Sequence, residues 1–141
     1  DFRVASYYGP NMQQDGFCGE DDVYDPEYME MLMKTLGGKN VDWESRMQSV
    51  GAPSILTEES TVLKLSASVL NDAKSEGAQL IVSACNLSHS VMDIYQGKAS
   101  QRTGLNVNIP VVHLCEILTF ALGHYNTRFA QLRTRVMVIG D

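Results

Sequence analysis

Hydrophobic positions along the chain fall into a pattern in which a short strand is followed by a helix, repeated four times. The third predicted strand, Leu80 to Ala84, is apolar without interruption, which is typical of a parallel sheet covered on both faces. Apolar residues at helical spacing follow each strand. This alternation predicts an α/β fold with a mainly parallel sheet of four to five strands and helices on both faces, a Rossmann-like arrangement of three layers. The predicted strands are residues 2–8, 40–43, 80–84 and 110–113.

The boundaries of the helices follow from local signals. Pro26 favours the first turn of one helix, and Thr57 is the expected cap of the next. Two later helices are predicted to begin between residues 86 and 88 and at Leu114. The polar stretch 97–108 is interpreted as a loop. Residues 1–127 are expected to form one domain, and residues 128–141 a C-terminal tail or an extra strand.

Composition and charge restrict the possible partners and the compartment. A chain of 141 residues that is 44% hydrophobic and 20% charged can bury the core of a single domain. The net charge of −6 argues against nucleic acid or an anionic membrane surface as a partner. No apolar run reaches the roughly 18 residues of a membrane span. The three cysteines, Cys18, Cys85 and Cys115, have no CxxC spacing, which favours a reducing, cytoplasmic location.

Ligands of open α/β sheets bind outside the carboxyl ends of the strands. Here these ends lead into four loops, which we expect to converge on one crevice. The loops are Gly9-Pro10, Arg46 to Ala52, Cys85 to Ser88, and His113 to Cys115.

Blocks of sequence at and between these loops have a recognisable order and spacing over residues 2–123. They are Tyr7-Tyr8-Gly9, Asp25 to Met29, Val41 to Trp43, Ser49 to Ala52, Ala84 to Ser88 with Asp93, Ile109 to Val111, and Leu118 to Gly123. Together they resemble the cysteine-rich CCG domain of B-type heterodisulfide reductase subunits, and within it the second of two repeats. The resemblance implies a redox complex that reduces or forms disulfides, iron–sulfur clusters held by cysteines, and partners that are A- and C-type subunits or a sister CCG repeat.

The cysteines of that family are mostly replaced in this chain. Pro10, Ser49, Val50 and Ser88 stand at positions where the resemblance implies cysteine, and Cys85 alone remains. One thiolate cannot hold a multi-iron cluster, and serine, valine and proline supply no soft ligand in exchange. We therefore expect no iron–sulfur cluster or other metal on this chain, and a repeat that acts mainly as a scaffold or docking domain of a heterodisulfide reductase-like oxidoreductase.

An alternative hypothesis places a catalytic thiol at Cys85. The residue lies between a strand and a helix, where the positive end of the helix dipole favours a thiolate. His89 follows four residues later on the same helix face and is a candidate base, as is His113. Two ligands are too few for a structural zinc site. A buried cysteine without a role and a non-catalytic pocket for a small ligand also remain open.

Overall fold

The computed structural model describes residues 2–13 and 21–124, and within them it contains a four-stranded, all-parallel sheet in the order β2-β1-β3-β4. The strands are β1 (Arg3–Tyr7), β2 (Lys39–Asn40), β3 (Leu80–Ser83) and β4 (Val111–His113). The helices are α1 (Tyr28–Thr35), α2 (Glu59–Ser75), α3 (Asn86–Ile94), α4 (Gln96–Thr103) and α5 (Leu114–Ala121). Short 3₁₀ turns span Pro10–Gln13, Glu44–Met47 and Ala52–Ser54. The predicted α/β class is confirmed.

Successive residues of each strand point to opposite faces of the sheet, and each face has its own hydrophobic core. Ala5 and Tyr7 of β1 belong to the core that α2, α3 and α4 cover. Val4 and Tyr8 belong to the core on the side of α1 and α5. We call these two sides the α2 face and the α1/α5 face.

The helices of the two faces are buried to different extents. α2 buries an apolar stripe at helical spacing that consists of Val62, Leu63, Ser66, Ala67, Val69, Leu70 and Ala73. α5 is also strongly apolar, with the sequence LCEILTFA, yet none of its residues is fully buried. The α2 face is therefore closed by its helices, and the α1/α5 face is only partly covered in the described structure.

The loop predicted for residues 97–108 is wrong over its first half, because α4 occupies Gln96–Thr103. This helix buries only Gln96 and Ala99, so its sequence lacks an apolar stripe. The Gln96 side chain is fully buried, and it donates from Nε2 to the Ile109 carbonyl at 2.7 Å and accepts at Oε1 from the Ile109 N–H at 3.1 Å. These two bonds attach α4 to the segment that leads into β4.

Three predicted boundaries also need correction. The second strand is Lys39–Asn40, earlier than predicted, because Trp43 turns inward and donates from Nε1 to the Ser6 carbonyl at 3.2 Å. Thr57 is not the cap of α2, since its hydroxyl donates to the Ser54 carbonyl and Glu58 precedes the helix. α1 begins two residues after Pro26.

The prediction of a tail or an extra strand at 128–141 falls on residues outside the described part of the chain, as does Cys18. Among the described helices, none has both the length and the apolar character that crossing a bilayer requires.

Candidate functional site

The loops that follow β1, β2 and β3 meet around the side chain of Tyr7. Its hydroxyl, at the end of β1, donates to the Gln48 carbonyl at 2.8 Å, in the loop that follows β2. Burial raises the pKa of Tyr7, hydrogen bonding with Ser88 and with the Val50 backbone lowers it in part, and nearby Cys85 raises it further. Three of the four loops expected to converge therefore meet at a fully buried tyrosine, for which the sequence predicts only a place in a strand and in the block Tyr7-Tyr8-Gly9.

The turn after β1 lies directly against Cys85. Gly9 has φ +71°, in the left-handed region that favours glycine. A Cβ added at Gly9 would lie 2.9 Å from the Cys85 Cβ and 3.6 Å from its Sγ. The close approach therefore requires glycine here, and the backbone occupies the space beside the thiol on this side.

Cys85 precedes α3 as its N-cap residue, as the sequence predicts, and it is 5% exposed. The hydroxyl of buried Ser83 bridges the backbone of Cys85, since it accepts from the Cys85 N–H and donates to the Cys85 carbonyl, both at 3.3 Å. The thiol is consequently held in a fixed and largely enclosed position at the carboxyl end of β3.

Two histidines approach each other between α3 and β4. The rings of His89 and His113 are 5.7 Å apart and nearly perpendicular. His113 caps α5 through Nδ1, which accepts from the Cys115 N–H at 3.3 Å, while Glu116 accepts from the His113 N–H at 2.7 Å. Within the described residues, the buried Nε2 of His113 has no hydrogen-bond partner. The fourth loop therefore contributes an imidazole next to α3.

The remaining predicted positions differ in exposure. Ser88 is 2% exposed, in the first turn of α3, and Val50 is fully buried in the core of the α2 face. Ser49 is exposed, and its hydroxyl accepts from the Gly51 N–H at 3.1 Å within its own loop. Pro10 is exposed and begins the 3₁₀ turn after Gly9. Of the seven predicted site positions, Val50, Cys85 and Ser88 surround Tyr7, and His89 and His113 lie beside each other.

An apolar pocket of about 250 Å³ opens beside these loops on the α1/α5 face. Its lining includes Tyr8, Met12, Met29, Leu32 and Leu114. Small-molecule sites ordinarily enclose about 300 to 1,000 Å³. The pocket is thus slightly smaller than an ordinary ligand site.

The side chains around Cys85 do not fit a multi-iron cluster. Tyr7 and Ser88 offer hydroxyls, and Gly9 offers backbone, whereas iron–sulfur clusters are held mainly by thiolates. Across the part of the chain that the structure describes, no three His, Cys, Asp or Glu side chains are grouped in a way that could hold a metal ion.

Comparison with known proteins places these features in a family context, although no protein-family model matches the sequence. The chain is 30% identical over 130 residues to the B subunit of the ferredoxin:CoB-CoM heterodisulfide reductase of Methanosarcina mazei, a match that covers 87% of this chain and 42% of that protein. The chain is a homologue of heterodisulfide reductase B subunits. The resemblance that the sequence blocks predict is thereby confirmed.

Two further proteins match at similar identity and coverage. The chain is 27% identical over 128 residues to the B subunit of the ferredoxin/F(420)H(2)-dependent CoB-CoM heterodisulfide reductase of Methanosarcina acetivorans, covering 87% of the chain and 42% of that protein. It is 29% identical over 122 residues to the membrane anchor subunit of the 8-methylmenaquinol:fumarate reductase of Wolinella succinogenes, covering 86% of the chain and 43% of that protein. The chain therefore spans less than half the length of each of these relatives.

A crystal structure of a hypothetical protein from Helicobacter pylori contains a region with the same fold. It matches with a TM-score of 0.74 and 17% identity, over 99% of this chain and 25% of that protein. At this level of identity the likeness supports the α/β architecture alone.

Proposed function

We propose that this chain is a scaffold and docking domain of a cytoplasmic redox complex of the heterodisulfide reductase type, without an iron–sulfur cluster of its own. A- and C-type subunits or a sister CCG repeat are the proposed partners. The homology to B-type subunits supports membership of such a complex. The direct packing of Gly9 and Tyr7 around Cys85 supports the absence of a cluster.

The role of the domain follows from how its loops are held. In a cluster-binding domain, thiolates from several loops are joined through iron. In this chain the Tyr7 hydroxyl joins the loop after β2 to β1 by a hydrogen bond, next to Ser88 at the start of α3. The carboxyl edge of the sheet can thus keep its shape without a metal, which suits a domain that presents a surface to partners.

Iron and acid-labile sulfide measurements on the full chain test the cluster part of the proposal. The protein is purified and reconstituted anaerobically with iron and sulfide, and the matched control is Cys85→Ser. We expect substoichiometric iron that is equal in the two proteins. A stoichiometric cluster in the unmodified chain that Cys85→Ser removes would overturn the proposal.

Co-expression with A- and C-type subunits tests the docking part. If the domain acts as a scaffold, Cys85→Ser should co-elute with the partner subunits from size-exclusion chromatography as well as the unmodified chain does. Loss of the complex in a Cys85→Ser protein that remains folded by circular dichroism would contradict a scaffold role.

A thiol-active site at Cys85 is the second candidate function, and the contact between His89 and His113 beside α3 is the observation that favours it. Reactive cysteines are usually partly exposed, whereas Cys85 is 5% exposed. Cys115 is exposed and provides an internal control in the same chain. Alkylation followed by mass spectrometry should modify Cys115 faster than Cys85. Faster modification of Cys85, slowed by His89→Gln, would favour the thiol-active site over the scaffold.

A further inference from the structure

Three large side chains that remain exposed lie along the start of α1. Tyr24 is 90% exposed in the turn before the helix, and Tyr28 and Met31 are 50% and 58% exposed within it. Tyr28 and Met31 are neighbours on the helix surface, because they are three residues apart. Met29 and Met33 face the sheet and are buried. The helix therefore presents apolar side chains to solvent as well as to the core that it covers.

The backbone beneath the two tyrosines is held by neighbouring carboxylates. Asp22 accepts from the Tyr24 N–H at 2.8 Å. Asp21 accepts from the Tyr28 N–H at 3.0 Å, and from the Glu27 N–H at the same distance. Aromatic side chains on a fixed backbone lose little conformational entropy on binding, and tyrosine is enriched among the residues that contribute most to interfaces. The exposed tyrosines are thus arranged in advance for contact with a partner.

The chain around these side chains is strongly acidic. Residues 21–31 contain five carboxylates and no lysine or arginine. Arg46, in the 3₁₀ turn after β2, neutralises part of this charge by pairing with Asp25 and Glu30. Glu27 is exposed, and its side chain does not cap the helix. Since opposite charges across an interface steer association, this region favours a basic partner and disfavours an acidic one.

The pocket of about 250 Å³ described above adjoins the same region, because Tyr28 and Asp21 are among its lining residues. The rest of its lining is apolar apart from the Tyr8 hydroxyl. A pocket below the ordinary size of a small-molecule site suits a single side chain of a protein partner. Lysine and arginine combine an apolar stem, which such walls can cover, with a charge that Asp21 attracts.

We propose that Tyr24, Tyr28 and Met31, together with the carboxylates of residues 21–30, form a docking surface for a lysine- and arginine-bearing surface of another protein. We call it the α1 docking surface. The inference rests on the docking role proposed above, and it adds where the domain docks and by what chemistry. Nucleic acid is disfavoured as the occupant, because its phosphates carry the same sign of charge.

A charge-reversal pair tests the electrostatic part. Glu27 and Glu58 are both exposed, and each precedes a helix as its N-cap residue without a cap bond from its side chain, but they lie at the starts of α1 and α2. Binding to immobilised A- and C-type subunits is measured by biolayer interferometry. At low salt, Glu27→Lys should weaken binding at least about fivefold and Glu58→Lys less than about twofold. Raising NaCl from about 50 to about 300 mM should weaken binding of the unmodified chain at least about tenfold.

A second pair tests the apolar part. Tyr24 and Leu56 are 90% and 92% exposed, so neither contributes to the core and both variants should remain folded by circular dichroism. Tyr24→Ala should weaken binding to the same subunits at least about fivefold, the effect of losing a residue that contributes strongly to an interface. Leu56→Ala should leave binding unchanged.

The outcomes separate this inference from the docking role on which it rests. If the subunits bind the unmodified chain, and Tyr24→Ala and Glu27→Lys bind as tightly as their controls, the docking role stands and the α1 docking surface is overturned. Equal losses in Glu27→Lys and Glu58→Lys, or binding that salt does not weaken, would also overturn it. If neither subunit binds the unmodified chain, the docking role itself fails, and this inference fails with it.

Discussion

The two faces of the sheet are built from the same strands but are completed in different ways. On the α2 face, residues of both the sheet and the covering helix α2 are fully buried, among them Tyr7, Leu70 and Ile81. On the α1/α5 face, α5 remains half-exposed. The first face is stabilised chiefly by the removal of apolar surface from water, at about 25 cal/mol per Å². The second leaves apolar surface that another segment or molecule can still cover.

Hydrogen bonds and ion pairs attach further elements to the end of β1 on the α1/α5 face. Tyr8 donates from its hydroxyl to Glu30 and accepts there from the Met29 N–H at 3.0 Å. Arg46 pairs with Glu30 at 3.2 Å, and also with Asp25. This network joins α1 to the loop after β2 on the α1/α5 face. Tyr7, the last residue of β1, and Tyr8, which follows it, thus anchor that loop and α1 respectively, so adjacent side chains distribute polar as well as apolar contacts to the two faces.

The largest predicted difference between the faces comes from removing one leucine on each. Leu70→Ala in α2 should lower the free energy of unfolding by about 2 to 5 kcal/mol, because it leaves a cavity in a closed core. Leu118→Ala in half-exposed α5 should lower the free energy of unfolding by less than about 1 kcal/mol, because folding removes less of the apolar area of Leu118 from water. Urea unfolding monitored by circular dichroism measures both. Equal losses would mean that the two faces are equally closed.

Two glycine substitutions compare the tight turn beside Cys85 with an open position in a helix. Gly9→Ala should destabilise the protein by about 2 to 3 kcal/mol, because it combines left-handed strain with a collision against the Cys85 Cβ. The control, Gly97→Ala, lies in α4 with open space around its added methyl group. It should stabilise the protein by about 0.5 to 1 kcal/mol, the usual gain for alanine over glycine within a helix. Thermal unfolding of both variants provides the test, and a neutral Gly9→Ala would refute the tight contact.

The smallest difference within a pair of variants is expected from the two adjacent tyrosines. Tyr8→Phe should cost about 1.5 kcal/mol because it removes a bond to a carboxylate, and Tyr7→Phe about 1 kcal/mol because its acceptor is a neutral carbonyl. Burial and then the bond to Glu30 raise the pKa of Tyr8 above its ordinary value near 10. The folded chain therefore keeps this proton at pH values where the unfolded chain releases it. The contribution is complete below about pH 10 and declines above it.

Urea unfolding at neutral pH and at about pH 10.5 checks this dependence. The unmodified chain should lose stability between the two conditions, and Tyr8→Phe should lose less. Should both proteins decline by the same amount, Tyr8 would not be responsible for any of the alkaline loss.

Local patterns predicted most of the fold. Leu80 to Ser83 could be predicted because a strand buried on both faces is apolar throughout, and α2 because a helix buried on one face has apolar residues at helical spacing. α4 leaves no such period, because its main anchor is a polar side chain, Gln96, bonded to a backbone group 13 residues away. The second strand was placed too late because Trp43 is buried in the core of the α2 face without pairing in the sheet.

The site was predictable in outline, but not in its central residue. Topology alone placed Cys85 and His113 at the carboxyl edge, where both lie. Tyr7 was missed because its chemistry depends on register: only the pairing of Tyr7 with Ser83 carries its hydroxyl to Gln48 and Ser88. The signal for Tyr7 that the sequence did offer was a tyrosine at the end of a strand, next to loops with few cysteines.

The paired bonds between Gln96 and Ile109 also limit how another strand could add to the edge of the sheet. The side-chain amide satisfies both the donor and the acceptor of Ile109, as the peptide group of an adjoining strand would. β4 is an outer strand of the described sheet, and unpaired backbone along such a strand can recruit extended segments of other molecules. By occupying the backbone just before β4, Gln96 shortens the length over which a foreign strand could add, and so protects the molecule against edge-to-edge aggregation.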